Sequence, residues 1–177
     1  LFHTADAVIS VSNALKIELV ERFGNRDNIY TIYNGVSKSI VDVINSKKKQ
    51  YVTYCGRLTS TKGVDTLIKA YSLLKKRNIN DKTKLLIMGD GELKEELKRL
   101  VEKEEMTNSI EFLGSIKNSI AREIINKALI HVVPSVYEPF ATSALEAMEE
   151  GTTVIASNVG GLKEMIVHEE NGLLFES

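Results

Sequence analysis

YVTYCGRLTSTKGVDTLIKAYSLLKK, residues 51–76, decides the fold. A strand over Tyr51 to Cys55 leads through the loop GRLTSTKG into a helix over Val64 to Lys76. The unit recurs downstream. Lys84 to Gly89 leads through Asp90-Gly91 to a helix from Glu92 to about Lys103. Ile110 to Gly114 precedes a helix near Ser119 to Lys127, and Leu129 to Val133 precedes a further helical segment. Thr153 to Ser157 leads through Asn158 to Gly161 into a short helix, and Gly172 to Phe175 is a last strand. These strands are unbroken apolar runs and not alternating ones, as expected when helices cover both sheet faces. Strand-helix alternation predicts an α/β fold with a doubly wound, mostly parallel, Rossmann-like sheet. Such sheets bind ligands beyond the C-terminal ends of their strands, where the glycine-bearing loops named here fall.

Upstream, Ala7 to Val11 reads as a strand, with Ser12 or Asn13 capping a helix over Ala14 to Phe23 that Gly24 ends. Asn28 to Tyr33 is a second strand, closed by an Asn34-Gly35 turn. Serines and lysines from Ser37 to Gln50 dilute the apolar pattern and read as a linker, with a boundary between 1–40 and 41–177. The first residues start in mid-strand without an initiator Met, which reads as an excised piece.

The 177 residues suffice for one domain, or one domain and part of another, and 43% hydrophobic content is ample for a core. A net charge of −1 argues against nucleic-acid or anionic-membrane binding through bulk charge. The single cysteine, Cys55, excludes an internal disulfide and reads as a buried thiol in a reducing, cytoplasmic compartment. No apolar stretch approaches membrane-spanning length.

The richest loop segment is EPFATSALEAMEEG, Glu138 to Gly151. It reads as a strand end, a tight turn and then a helix whose first N–H groups lack intrahelical partners. Those donors and the helix dipole make an anion site. Glu138 would stand at its mouth and Glu146 inside the helix. If all eight steps between them were helical, the two would lie roughly 12 Å apart along the axis. Each carboxylate can accept two hydrogen bonds from a sugar or ribose diol, whereas the ordinary reading of a helix glutamate is a solvated surface group. Gly56-Arg57 with Lys62-Gly63 is the next signal: two cations that can converge on one diphosphate, or two plain surface charges. Gly89-Asp90-Gly91 lacks the third glycine of a dinucleotide fingerprint, so a nicotinamide-dependent oxidoreductase is disfavoured. A tight turn, or a rest for a nucleotide ribose or base edge, remains there. Leu113 to Ile116 is a second candidate wall for a base. Gly160-Gly161 with Glu164 allows close backbone approach, for example to a donor sugar. His131 reads as a core histidine. No His/Cys cluster or Asp-x-Asp pair marks a metal site, so protein cations would do the charge work.

Together these residues resemble the retaining GT-B glycosyltransferases of family 4, over nearly the whole chain. Glu138 and Glu146 match that family's Glu-x7-Glu motif. Gly56, Arg57, Lys62 and Gly63 match its diphosphate motif. ADAVISVS…IYTIYNGV resembles the end of the family's N-terminal, acceptor-binding domain and its hinge (1–40). The rest resembles the C-terminal donor-binding domain (41–177), cut short. The resemblance implies a hexosyltransferase, with transfer from a nucleotide sugar, anomeric retention, front-face substitution and no metal or other cofactor. UDP or GDP would be the nucleotide and polysaccharide biosynthesis the setting. Arg57 and Lys62 would hold and stabilise the leaving diphosphate, and Glu138 would contact sugar hydroxyls. Glu146 would take the ribose, and backbone around Phe140, Ala141, Thr142 and Ser143 the distal phosphate. Gly56, Gly89, Gly91 and Ile116 complete the expected donor site. A glycan, lipid or small-molecule acceptor would bind through the other domain, without which the piece would bind donor and transfer little. A full-length parent would be cytoplasmic, with the cytoplasmic membrane face as the alternative.

The chain departs from the family at Ala141, where glycine is usual, and at Ser37, where an acid is. Glu149-Glu150 and Thr153 replace a small residue, Cys and Pro. A glucan or sucrose-phosphate synthase type, and a non-catalytic nucleotide-sugar module, are the alternatives.

Overall fold

A computed structural model describes residues 4–24, 27–38, 51–77 and 82–176. A small unit comes first: β1 (Val8–Ser10), α1 (Asn13–Phe23) and β2 (Ile29–Thr31), with the two strands paired in parallel. Of the two candidate caps, Ser12 takes the role, its hydroxyl accepting the Leu15 N–H at 3.1 Å. Asn34-Gly35 makes no turn. The chain runs on irregularly from Ile32, and Gly35 is not among the residues with positive φ. Contacts at either end hold it so: the Tyr33 hydroxyl bonds Glu164, and the Ser37 carbonyl bonds Arg122. Most of the expected linker, 39–50, lies outside the described residues.

The main sheet contains β3 (Tyr51–Cys55), β4 (Lys84–Met88), β5 (Ile110–Gly114), β6 (Ile130–Val133), β7 (Thr153–Ser157) and β8 (Leu173–Phe175). Their spatial order is β5-β4-β3-β6-β7-β8, with every pairing parallel. This is the doubly wound sheet the apolar runs predict. Between them lie α2 (Val64–Lys76), α3 (Lys94–Lys103), α4 (Asn118–Asn126), α5 (Thr142–Glu149) and the short α6 (Leu162–Met165). Helix α3 starts two residues later than predicted, because the Asp90 carboxylate takes the Gly91 N–H and the chain turns once before Lys94.

Successive strand residues point to opposite faces, and the cores divide accordingly. Tyr54, Leu85 and Ile87 pack with Leu67, Ile68 and Tyr71 of α2 and with Leu97 and Val101 of α3. Their sequence neighbours Cys55 and Met88 join Ala121 and Ile125 of α4, Ala144 and Ala147 of α5 and Leu162 of α6. Spacings such as Leu67, Ile68, Tyr71 put one stripe of each helix against its face. Fully burying one such side chain is worth about 2 kcal/mol, so two stacked cores fix the sheet between them.

This topology places the site. The chain winds outward from β3 to β5, crosses over, and winds the other way from β6 to β8. The order therefore reverses between β3 and β6, opening a crevice at their C-terminal ends.

Candidate donor site

The loop after β3 is built to present charge. Leu58 is wholly buried, its N–H donating to Asp90 and its carbonyl accepting from Leu93. That anchor leaves its neighbour Arg57 exposed at the crevice, with no hydrogen bond or ion pair from its guanidinium among the described residues. The buried Tyr54 hydroxyl donates to the Arg57 carbonyl at 2.8 Å and braces the loop from below. Burial, and next the charges of Cys55 and Glu138, push the Tyr54 phenol upward, so it stays a donor. A 3-10 turn, Ser60–Lys62, follows and ends at Gly63 in the left-handed region (φ 61°). A side chain at Gly63 would strike the Pro134 carbonyl, so only glycine lets this loop press against the one after β6. The Thr61 carbonyl accepts the Val136 N–H at 2.9 Å and closes the seam.

That seam delivers Lys62 to Glu138. Lys62 Nζ donates to Glu138 Oε2 at 2.6 Å, and the Ser135 hydroxyl donates to the same oxygen at 3.1 Å. Glu138 is only 6% exposed. A carboxylate so buried costs several kcal/mol unless paired, and Lys62 is its counter-charge. From the far side the Glu138 carbonyl accepts the Gly161 N–H at 3.0 Å. A Cβ at Gly160 or Gly161 would meet the Glu138 or Pro139 carbonyl. The close approach expected of these glycines is thus to the site's own backbone.

The eight steps from Glu138 to Glu146 are not all helical, because α5 begins only at Thr142. Ala141 precedes α5 with no side-chain cap, and the N–H groups of Ala141, Thr142 and Ser143 have no acceptor among the described residues. These donors face a hollow of about 280 Å³. Gly56, Arg57, Lys62, Glu138, Phe140, Ala141, Thr142, Ser143 and Glu146 all line it. Gly56 and Arg57 also border a second hollow of about 330 Å³, which Gly89 and Ile116 line with Ser115. Gly91 lines neither. Its Cα packs on the Leu58 backbone, where a side chain would collide.

Five residues lining the first hollow escaped the sequence reading: Tyr54, Cys55, Asn118, Val133 and Ser135. Ser135 and Asn118 stand shortly after the ends of β6 and β5, so extending the strand-end rule to every loop finds them. Asn118 Nδ2 donates to Glu146 Oε1 at 2.8 Å. Cys55 borders both hollows, and burial, followed by the Glu146 charge, pushes its thiol up to about 11.

Glu164, in α6 just after Gly160-Gly161, turns away from the hollow's lining. Its carboxylate accepts the N–H groups of Asn13 (2.9 Å) and Ala14 (2.6 Å) at the start of α1, and the Tyr33 hydroxyl (2.9 Å). Burial alone would raise its titration, but these donors outweigh burial and hold it below the usual carboxylate range. Glu164 therefore ties the small unit to the main sheet. The Tyr33 ring also lies 6.2 Å from that of Phe140 in the site. His131 is the core histidine expected, fully buried and held to Thr53 through Nδ1 at 3.1 Å. Burial pushes its titration down to about 4. Among the described residues no group of three or more His, Cys, Asp and Glu is placed to hold a metal, and no helix is long and apolar enough to cross a membrane.

A crevice at the switch point of a parallel sheet, with two cations, free helix N–H groups and two carboxylates, places the chain among doubly wound α/β domains with an anion-compatible site at the strand ends. Comparison with known proteins narrows the class. Residues 37–177 match the family profile described as Glycosyl transferases group 1. An uncharacterised glycosyltransferase of Methanocaldococcus jannaschii is 35% identical across 94% of this chain and 46% of its own length. Sucrose-phosphate synthase from Thermosynechococcus elongatus superposes with a TM-score of 0.82 at 29% identity, over 98% of this chain and 46% of that one. Anabaena HepE, solved in complex with UDP-glucose, gives 0.83 at 25% identity, over 97% and 50%. The chain belongs to the group 1 glycosyl transferases. It spans about half the length of the relatives it matches.

Proposed function

We propose that the crevice binds the nucleoside-diphosphate part of a sugar donor and serves hexosyl transfer with retention at the anomeric carbon, without a metal. One observation carries this reading: Arg57, Lys62, the N–H groups at the start of α5 and both glutamates converge on a single hollow. Family membership and the UDP-glucose complex of HepE support it. Lys62 spends one of its three N–H donors on Glu138 and keeps others for a phosphate oxygen. Arg57 supplies a free fork from the other lip. Together with the helix N-terminus they compensate the charge that develops on the departing diphosphate. Glu138 then contacts sugar hydroxyls with its remaining acceptor capacity, and Glu146 the ribose. Gly89 and Ile116 border the space for the base. Neither glutamate acts as nucleophile, because the incoming hydroxyl approaches on the face the diphosphate leaves. Residues 1–40 belong to the acceptor-side domain in this reading, and the acceptor is a glycan or lipid bound mostly outside this chain. The parent works in the cytoplasm.

Calorimetric titration with UDP, GDP and ADP, first without metal and then with Mg²⁺, tests the reading. Metal-independent binding of one diphosphate, abolished in Arg57→Ala, is expected. Binding that needs Mg²⁺ overturns the metal-free part, and failure of all three diphosphates overturns the site.

A further inference from the structure

Glu146 differs from every other acidic residue of the crevice in how it is held. Among the described residues its carboxylate has one hydrogen-bond partner, the Asn118 amide, at 2.8 Å. Among the described residues no cation pairs with it. Asn118 is the first residue of α4, and Glu146 lies in the second turn of α5, so the bond spans two helices that pack together. Both side chains line the same hollow as the free N–H groups of α5.

We infer that Asn118 is a positioning residue that aims Glu146 at the ribose hydroxyls and so makes the site select ribonucleotides. The inference rests on the donor-site reading above. A neutral amide occupies one carboxylate oxygen and fixes the rotamer, yet leaves the full negative charge and the second oxygen available to a diol. A lysine or arginine in its place would compete with the hydroxyls and attract the phosphates to this end. The amide carries a second N–H and a carbonyl oxygen as well, so the pair offers both donor and acceptor to a vicinal diol. The uncompensated charge of Glu146 repels the diphosphate towards Arg57 and Lys62, which sets the nucleotide's direction in the crevice.

The test compares whichever of UDP, GDP and ADP the wild type binds most tightly with its 2′,3′-dideoxy counterpart. Asn118→Ala should weaken the ribonucleotide about fivefold, the worth of one ordinary hydrogen bond, and the dideoxynucleotide less than twofold. The isosteric Asn118→Asp preserves shape but sets a second negative charge against Glu146, so it should lose more of the ribose preference than Asn118→Ala. In a Glu146→Gln background, Asn118→Ala should add less than twofold. Equal weakening of both nucleotides, or of neither, overturns the inference while leaving the donor site intact. A wild type that binds both nucleotides equally overturns it too, since no ribose preference then exists to be set. Failure of the wild type to bind any diphosphate overturns the inference together with the reading beneath it.

Discussion

Glu138 and Glu146 are the same residue type, eight positions apart on one lip of one crevice, and the fold treats them oppositely. Glu138 sits in the turn before α5, buried, with a lysine cation and a serine hydroxyl on a single oxygen. Glu146 sits on the helix, partly exposed, with a neutral amide as its one hydrogen-bond partner among the described residues. Glu138 is built into the seam that joins the loops after β3 and β6. Glu146 is held by a single neutral bond from the first residue of α4. A carboxylate can therefore serve structure and ligand at once where its counter-charge belongs to the protein. It is free for the ligand alone where the partner is neutral.

The sharpest way to break this comparison is Lys62→Ala. It removes a charge-assisted contact to the diphosphate, so nucleoside-diphosphate affinity should fall about 30-fold while that of the bare nucleoside changes less than twofold. Equal losses for both would sink the phosphate role of Lys62. The same variant strands Glu138 without a counter-charge, and urea unfolding should show a loss of about 3 kcal/mol. Glu138→Gln should cost less, about 1 kcal/mol, because the amide oxygen still accepts from Ser135 and Lys62 can swing out to water. If the two variants lose the same stability, burial of the Glu138 charge is not what holds the seam. Glu146→Gln is the counterpart at the other end of the crevice. It should leave the unfolding free energy within about 0.5 kcal/mol of the wild type, because a partly exposed acceptor is replaced by one of the same shape.

The sequence reveals much of this because the signals are local. Apolar runs such as Lys84–Met88 and Thr153–Ser157 mark buried parallel strands, and glycines mark the loops at their ends. Arg57, Lys62, Glu138 and Glu146 stand in those loops or at the helix they start, so the strand-end rule brings them to one crevice. What stayed hidden depends on distant pairs. Glu164 could not be read as the clamp on α1, since its partners Asn13 and Ala14 lie some 150 positions away. Ser37 and Glu150 looked like two unrelated departures from the family pattern. In the structure they meet on one side chain: Arg122 Nε bonds Glu150 at 2.7 Å and Nη1 bonds the Ser37 carbonyl at 2.9 Å. Arg122 is itself 9% exposed, and a polar residue on a helix gives no local hint that it is buried. The Asn34-Gly35 turn failed for the same reason, as contacts at Tyr33 and Ser37 override a dipeptide preference.

The smallest expected effect separates the two glutamates most cleanly, because adjacent residues of β3 sense different ones. Tyr54 faces the α2 side and feels the charge of Glu138, whereas Cys55 faces the α4–α5 side and feels that of Glu146. Burial is the larger cause of the Cys55 shift, to about 11 from an ordinary 9.0, and the Glu146 charge adds to it. Glu146→Gln should therefore move the thiol titration slightly back towards 9.0, while Glu138→Gln leaves it in place. Thiolate absorbance against pH reads this directly. The sign carries over to stability. A folded-state thiol that holds its proton more tightly contributes stability that is complete below pH 9 and lost as pH rises through about 11. The wild type should weaken across that window, and Glu146→Gln should weaken less, its folded thiol lying closer to the unfolded one. If Glu138→Gln moves the Cys55 titration as far as Glu146→Gln does, the two carboxylates share one electrostatic environment, and the division of labour between them is wrong.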